Sequence, residues 1–183
     1  MVPSWDQKWY DALIKRYEID SKEKYRNCST GTKRKVDFIL ALAHHPAILL
    51  LDEPTSGVDL VSQRKMKDDL LRFMEEGMRS ILIATHQQEE IKQLSDYICF
   101  MNKGQIIDHL EKEQLQERWA RIWISSLPKE LKQHPNVKQV SEEPFQLVTN
   151  DLPGIESVLE RLNVQITHRQ RLDLDEVMEY YFL

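Results

Sequence analysis

The sequence predicts an α/β fold: a parallel sheet with helical crossovers, entered through a helical segment and followed by a small α+β appendage. Three observations predict it. Ala47–Leu51, Ser80–Ala84 and Tyr97–Met101 are short apolar runs of strand length. Stretches with apolar residues at helical spacing lie between them, the alternation of a sheet with crossovers. Near Glu111 this order gives way to short strands mixed with charged helices, which divides the chain into 1–111 and 112–183.

Each element has its own signal. In Trp5–Ile19, Trp9, Leu13 and Tyr17 recur every four residues with Ile14 alongside, an amphipathic helix. Ser29 is an N-cap for a helix through Ala43, and His44-His45-Pro46 ends it. The two histidines suit a helix C-terminus, where the dipole favours them. Ala47–Leu51 reads as a strand buried on both faces. A helix over Ser62–Met74 stops at Gly77. Ser80–Ala84 is a second buried strand, Gln87–Leu94 a short helix and Tyr97–Met101 a third strand. Asn102-Lys103-Gly104 is a hairpin turn into Gln105–Asp108. Beyond lie a charged helix at Glu111–Arg118, strands near Arg121–Ser125 and Gln146–Thr149, a helix at Pro153–Leu162, a strand at Val164–Thr167 and a last helix at Leu174–Tyr181.

Composition narrows the function. Of 183 residues 41% are hydrophobic and 30% charged, a globular balance, and the formal net charge of -5 offers no basic footprint for nucleic acid. Cys28 and Cys99 lack metal or disulfide spacing and suit a reducing compartment. No apolar run approaches the ~20 residues of a membrane span, and the first residues lack the apolar core of a signal peptide. Membrane association is therefore expected only through a partner.

The chemistry concentrates at Asp52-Glu53, adjacent carboxylates at the C-terminal end of the first buried strand. Ligands of open α/β sheets bind at that edge. Neighbours on a strand point to opposite sides. One acid can then hold magnesium through oxygen while the other faces an attacking water. A buried strand running into an ordinary acidic turn has the same local pattern, so the pair alone does not decide. Its surroundings add Pro54-Thr55-Ser56-Gly57-Val58-Asp59 directly after it, Ala84-Thr85-His86 at the end of the next strand, and Cys28-Ser29-Thr30-Gly31-Thr32 opening the helix before it.

With these motifs in this order, the chain resembles the nucleotide-binding domain of ABC transporters. The opening Pro3-Ser4-Trp5-Asp6 is similar to bacterial exporter-type members. Asp52-Glu53 resembles the Walker B motif and its catalytic glutamate, and Ser56–Asp59 the D-loop. His86 resembles the switch histidine, and Cys28–Thr32 the LSGGQ signature. The resemblance implies an incomplete P-loop NTPase sheet, with ATP and Mg2+ as cofactors. It implies that Asp52 organises magnesium, Glu53 polarises the attacking water and His86 contacts the γ-phosphate. It also implies that Asp59 works across a dimer interface, and that Ser29 and Gly31 contact a nucleotide on the opposite subunit. A helix N-terminus suits that last role, because its N–H groups favour anions. The implied partners are a second ATPase subunit or a missing N-terminal half, and a membrane-spanning transporter subunit. The implied place is the cytoplasmic membrane face.

The chain departs from the family in one large respect. None of its five glycines begins a phosphate loop, Gly-x-x-x-x-Gly-Lys followed by Ser or Thr. The family's base-stacking aromatic and Q-loop glutamine, which also precede the signature, are missing too. The chain reads as the second portion of such a domain, and its strands are expected to have open edges where the phosphate-loop strand belongs. The signature has Cys28 for Leu, Thr30 for Gly and Thr32 for Gln. Three readings follow: an ATPase portion whose phosphate loop is supplied elsewhere, a non-catalytic module lending its signature helix to another subunit, or a gene remnant.

Overall fold

A computed structural model describes residues 5–75 and 77–182. Pro3 and Ser4 of the exporter-like opening lie outside them. The chain forms two compact units that divide between Leu94 and Ser95, ahead of the change of pattern near Glu111.

The first unit begins with α1, Gln7–Arg16, capped by the Asp6 carboxylate, which accepts from Trp9 N–H at 2.9 Å. Lys15 and Arg16 in its last turn complement the helix dipole. The helix does not run on to Ile19 as expected: Glu18 takes a left-handed φ of 56°. Turns and a short 3-10 turn at Tyr25–Asn27 follow, so the predicted helical segment before the signature is one helix and a loop. Helix α2, Thr30–Ala43, begins at Ser29, whose hydroxyl accepts from Thr32 N–H. It buries Phe38, Ile39, Leu42 and Ala43. Strand β1 is Ile48–Asp52, helix α3 Leu60–Glu75, strand β2 Ser80–Ala84 and helix α4 Gln88–Leu94. Gly77, at φ 123°, follows α3 as expected of a helix-stopping glycine. Leu13 and Tyr17 meet Met66, Leu70 and Phe73 of α3, the apolar face of α2, and Leu49 in one core. Tyr17 also donates its hydroxyl proton to Asp69, a fully buried acid that Arg16 Nε reaches at 3.1 Å.

Strands β1 and β2 pair in parallel, with Ile48 opposite Ser80 and Asp52 opposite Ala84. The pleat sends Leu49, Leu51, Ile81 and Ile83 into the core. Ile48, Leu50 and Leu82 remain 64%, 69% and 63% exposed. The expectation of strands buried on both faces therefore fails. Helices cover one face, and no described residue of this unit covers the other. The sheet is small and partial: β1 and β2 have only each other as strand neighbours among the described residues.

The second unit opens with a hairpin of β3, Tyr97–Asn102, and β4, Gln105–Glu111. Lys103 and Gly104 both have positive φ, 48° and 78°, as a two-residue turn of this kind requires. Helix α5, Lys112–Arg118, leads into a four-stranded antiparallel sheet. Its strands are β5, Ala120–Ile124, β6, Val137–Glu142, β7, Phe145–Thr149, and β8, Ile166–Arg171, in the order β6-β7-β5-β8. The short α6, Lys129–Lys132, and α7, Leu152–Arg161, cover one face through Leu131, Leu152, Ile155 and Leu159. The closing helix α8, Leu174–Phe182, stacks Tyr181 on Phe100 with ring centroids 3.8 Å apart. That contact ties the hairpin to this unit.

Candidate functional site

The C-terminal end of β1 gathers most of the singled-out residues. The strand ends at Asp52, and Glu53 follows at φ 45°, in the left-handed region. The two acids therefore do not diverge by strand alternation as the sequence reading has it. Asp52 ends the pleat, and a left-handed turn aims Glu53. Glu53 N–H donates to Ala84 O at 2.9 Å, so the parallel register of β2 brings the next residues, Thr85 and His86, beside it.

Glu53 and His86 form a pair. Glu53 Oε1 accepts from the His86 backbone N–H at 3.1 Å and lies 2.6 Å from His86 Nδ1. Glu53 Oε2 is buried and has no hydrogen-bond partner among the described residues. The imidazole is largely solvent-exposed. The carboxyl is thus oriented at one oxygen, while the other is left without a partner.

The Asp52 carboxylate is exposed. Among the described residues no hydrogen bond or ion pair engages it, while the Asp52 backbone carbonyl accepts from Arg34 at 3.3 Å. A free carboxylate at a strand end fits one oxygen position of a magnesium shell. Among the described residues no group of three His, Cys, Asp or Glu side chains completes such a shell. The remaining ligands fall to phosphate oxygens and water, as is usual for magnesium.

The first turn of α2, at Thr30 and Gly31, lies against the turn that follows Glu53. A Cβ on Gly31 would stand 2.7 Å from Gly57 O, so glycine is required there by the close approach of another backbone. Lys35 Nζ lies 3.6 Å from Asp59 Oδ2. Asp59 Oδ1 accepts from Ser62 N–H at 2.8 Å and caps α3. That hydrogen bond holds the Asp59 carboxyl below its ordinary range, with Lys35 adding to the effect. Ser29 is exposed, and its hydroxyl bonds Thr32. Among the described residues no hydrogen bond or ion pair joins Ser29 or Gly31 to Asp52, Glu53 or His86.

Sequence reasoning missed the side chains that shape this turn. Gln63 Nε2 donates to Thr55 O at 3.2 Å and to Val58 O at 2.9 Å. The Thr55 hydroxyl donates to Glu90 Oε1 at 2.5 Å, with both residues buried. No periodicity marks these residues, since each is polar on an otherwise ordinary helix face or turn.

Comparison with known proteins supports the family resemblance. A family model described as "AAA domain, putative AbiEii toxin, Type IV TA system" matches residues 17–92. The ABC transporter ATP-binding protein YtrB of Bacillus subtilis is 33% identical over 125 residues, covering 68% of this chain and 43% of YtrB. A solved ATP-binding subunit of an ABC transporter superposes with a TM-score of 0.53 at 17% identity, covering 61% of this chain and 49% of that one. The dimeric ATP-binding cassette MJ0796, solved with ADP and Pi, superposes with a TM-score of 0.51 at 23% identity, covering 57% and 46%. At these identities the solved structures speak for the fold alone. The chain spans less than half the length of the curated relatives it matches.

Proposed function

We propose that this chain, a homologue of ABC-transporter ATP-binding proteins, supplies the Walker B, D-loop, signature and switch-histidine elements of an ATPase that drives transport. The phosphate loop, absent from the 183 residues, would come from another segment of the same protein or from a separate chain. Residues 1–111 would carry the ATPase elements and 112–183 an appendage. The observation that carries the reading is the Glu53–His86 pair at the C-terminal edge of the parallel sheet, beside an unengaged Asp52 carboxylate.

In this reading ATP supplies the phosphoryl group and magnesium neutralises its charge. Glu53 accepts a proton from the attacking water, His86 holds Glu53 in place and then meets the γ-phosphate, and Asp52 takes one metal position. Ser29 and Gly31 face a nucleotide held by a second subunit, and Asp59 acts near that interface. A membrane-spanning partner would place the assembly at the cytoplasmic face. Among the described residues no helix is long and apolar enough to cross a bilayer.

Phosphoryl transfer rests on positioning and charge stabilisation. The chain alone, with magnesium and ATP, should therefore release phosphate only at background rate. Co-expression with a segment carrying the phosphate loop should yield a complex that hydrolyses ATP. Glu53→Gln should abolish that turnover and leave the complex intact. Turnover by the chain alone near ~1 s⁻¹, lost in Glu53→Gln, would contradict the proposal, as would a complex without activity.

A further inference from the structure

We propose that Glu90 is a positioning residue that locks the Thr55–Asp59 turn to the loop bearing His86. The inference rests on the function proposed for Glu53 and His86. Glu90 is only 2% exposed, and Thr55 only 1%. Glu90 Oε1 accepts the Thr55 hydroxyl proton, while Glu90 Oε2 is buried with no hydrogen-bond partner among the described residues. A buried carboxyl with one oxygen unpartnered weakens a fold. The Thr55 bond offsets part of that cost, and what it joins is two working segments.

Both ends of the tie are held. On one side, Thr55 O accepts from Val58 N–H at 3.1 Å and from Gln63, and Gly57 O rests against Gly31. The turn is thus clamped between α2 and α3. On the other side, Glu90 stands four residues after His86, and the chain between is short and bonded. Gln87 N–H donates to the Thr85 hydroxyl, and Glu90 N–H donates to Gln87 O at 3.0 Å. Among the described residues the His86 side chain bonds only Glu53, while the β1–β2 ladder holds the backbone two residues before it. Once Glu53 turns to water and His86 to phosphate, that link opens. Thr55–Glu90 then remains as a side-chain bond that, with the β1–β2 ladder, keeps the His86 loop in register with the turn carrying Asp59. A displacement at the subunit interface would so reach His86.

Amide hydrogen exchange on the full chain tests the tie without any turnover. Thr55→Val and Glu90→Ala should each speed exchange by about tenfold, for loss of one buried hydrogen bond. The effect should appear in residues 55–59 and 86–90 together. Thr55→Ser keeps the hydroxyl and Glu90→Gln keeps the acceptor oxygen, so both should exchange like wild type. In the complemented ATPase, Thr55→Val should lower kcat by about tenfold or more with KM for ATP nearly unchanged, and Thr55→Ser should restore it. Exchange that rises in one segment only, or not at all, overturns the proposal, as does an unchanged kcat. If the wild-type complement hydrolyses no ATP, the functional reading fails, and the exchange data still decide whether the tie exists.

Discussion

Leu49 and Leu50 are neighbours in β1, yet truncating them should have very different consequences. Leu49 is 4% exposed and sits in the core of the first unit, whereas Leu50 is 69% exposed on the bare face of the sheet. Leu49→Ala removes buried methyl groups and leaves a cavity, at about 2–5 kcal/mol. Full burial of a leucine is worth about 1.5–3 kcal/mol. The third of that realised at Leu50 leaves about 0.5–1 kcal/mol at stake, with no cavity. Urea denaturation of both variants in dilute solution measures the difference through the midpoint at constant slope. Equal losses at the two positions would refute a one-sided sheet. The same experiment with a bound phosphate-loop segment should raise the loss at Leu50, because a covering layer buries it. On the same scale the exposed two thirds of Ile48, Leu50 and Leu82 together hold about 3–6 kcal/mol of apolar burial as an upper bound.

Three further outcomes test the local geometry. Gly31→Ala should gain up to about 1 kcal/mol of helix propensity and lose about 1–3 kcal/mol to the contact with Gly57 O. A net stabilisation in urea denaturation would contradict that contact. Asp59→Ala should cost about 1 kcal/mol through the lost cap of α3. Asp59 titrates below its ordinary value, so its stabilisation is present above an unfolded pKa near ~3.9 and is lost as pH falls through the lower folded value. Asp59→Asn caps without titrating, and should flatten that part of the acid limb of a stability–pH profile. Tyr17→Phe should cost about 1.5–3 kcal/mol, because Asp69 loses the hydroxyl and keeps only arginine partners. Burial and Asp69 push the Tyr17 pKa up, so its contribution is intact below an unfolded pKa of ~10 and declines as pH rises beyond it. A thermal melt series on either side of pH 10 measures it.

What was legible in the sequence was local. Ser29 as N-cap, the helix it starts and the span Ser80–Ala84 follow from side-chain chemistry within a few residues, and the structure places them as read. Strands β6 and β8 were missed or shortened because Lys138, Gln139, His168 and Arg169 lie on edge strands, where water tolerates polar side chains on both faces. The helical segment before the signature was overread because Tyr17 and Ile19 continue an apolar pattern through a left-handed break at Glu18, which periodicity cannot see. At the candidate site, the sequence singles out residues without saying how they are arranged. The Glu53–His86 pairing depends on the parallel register, and the Thr55–Glu90 bond joins residues far apart in sequence. The apolar runs of β1 and β2 signal two-sided burial. They carry no information on what supplies the second side.

The left-handed backbone at Glu53 bears on how this position would change over generations. Glycine adopts φ 45° freely and asparagine does so readily, while a glutamate there costs about 1 kcal/mol. Heat resistance alone would favour Asn or Gly at 53. A library of variants at this codon, selected only for survival of the fold on heating, should enrich those two and discard the wild-type residue. Relaxed copies of the gene would drift the same way. A glutamate on such a backbone puts its carboxylate at the strand end at a cost to the fold, and that selection would measure the cost.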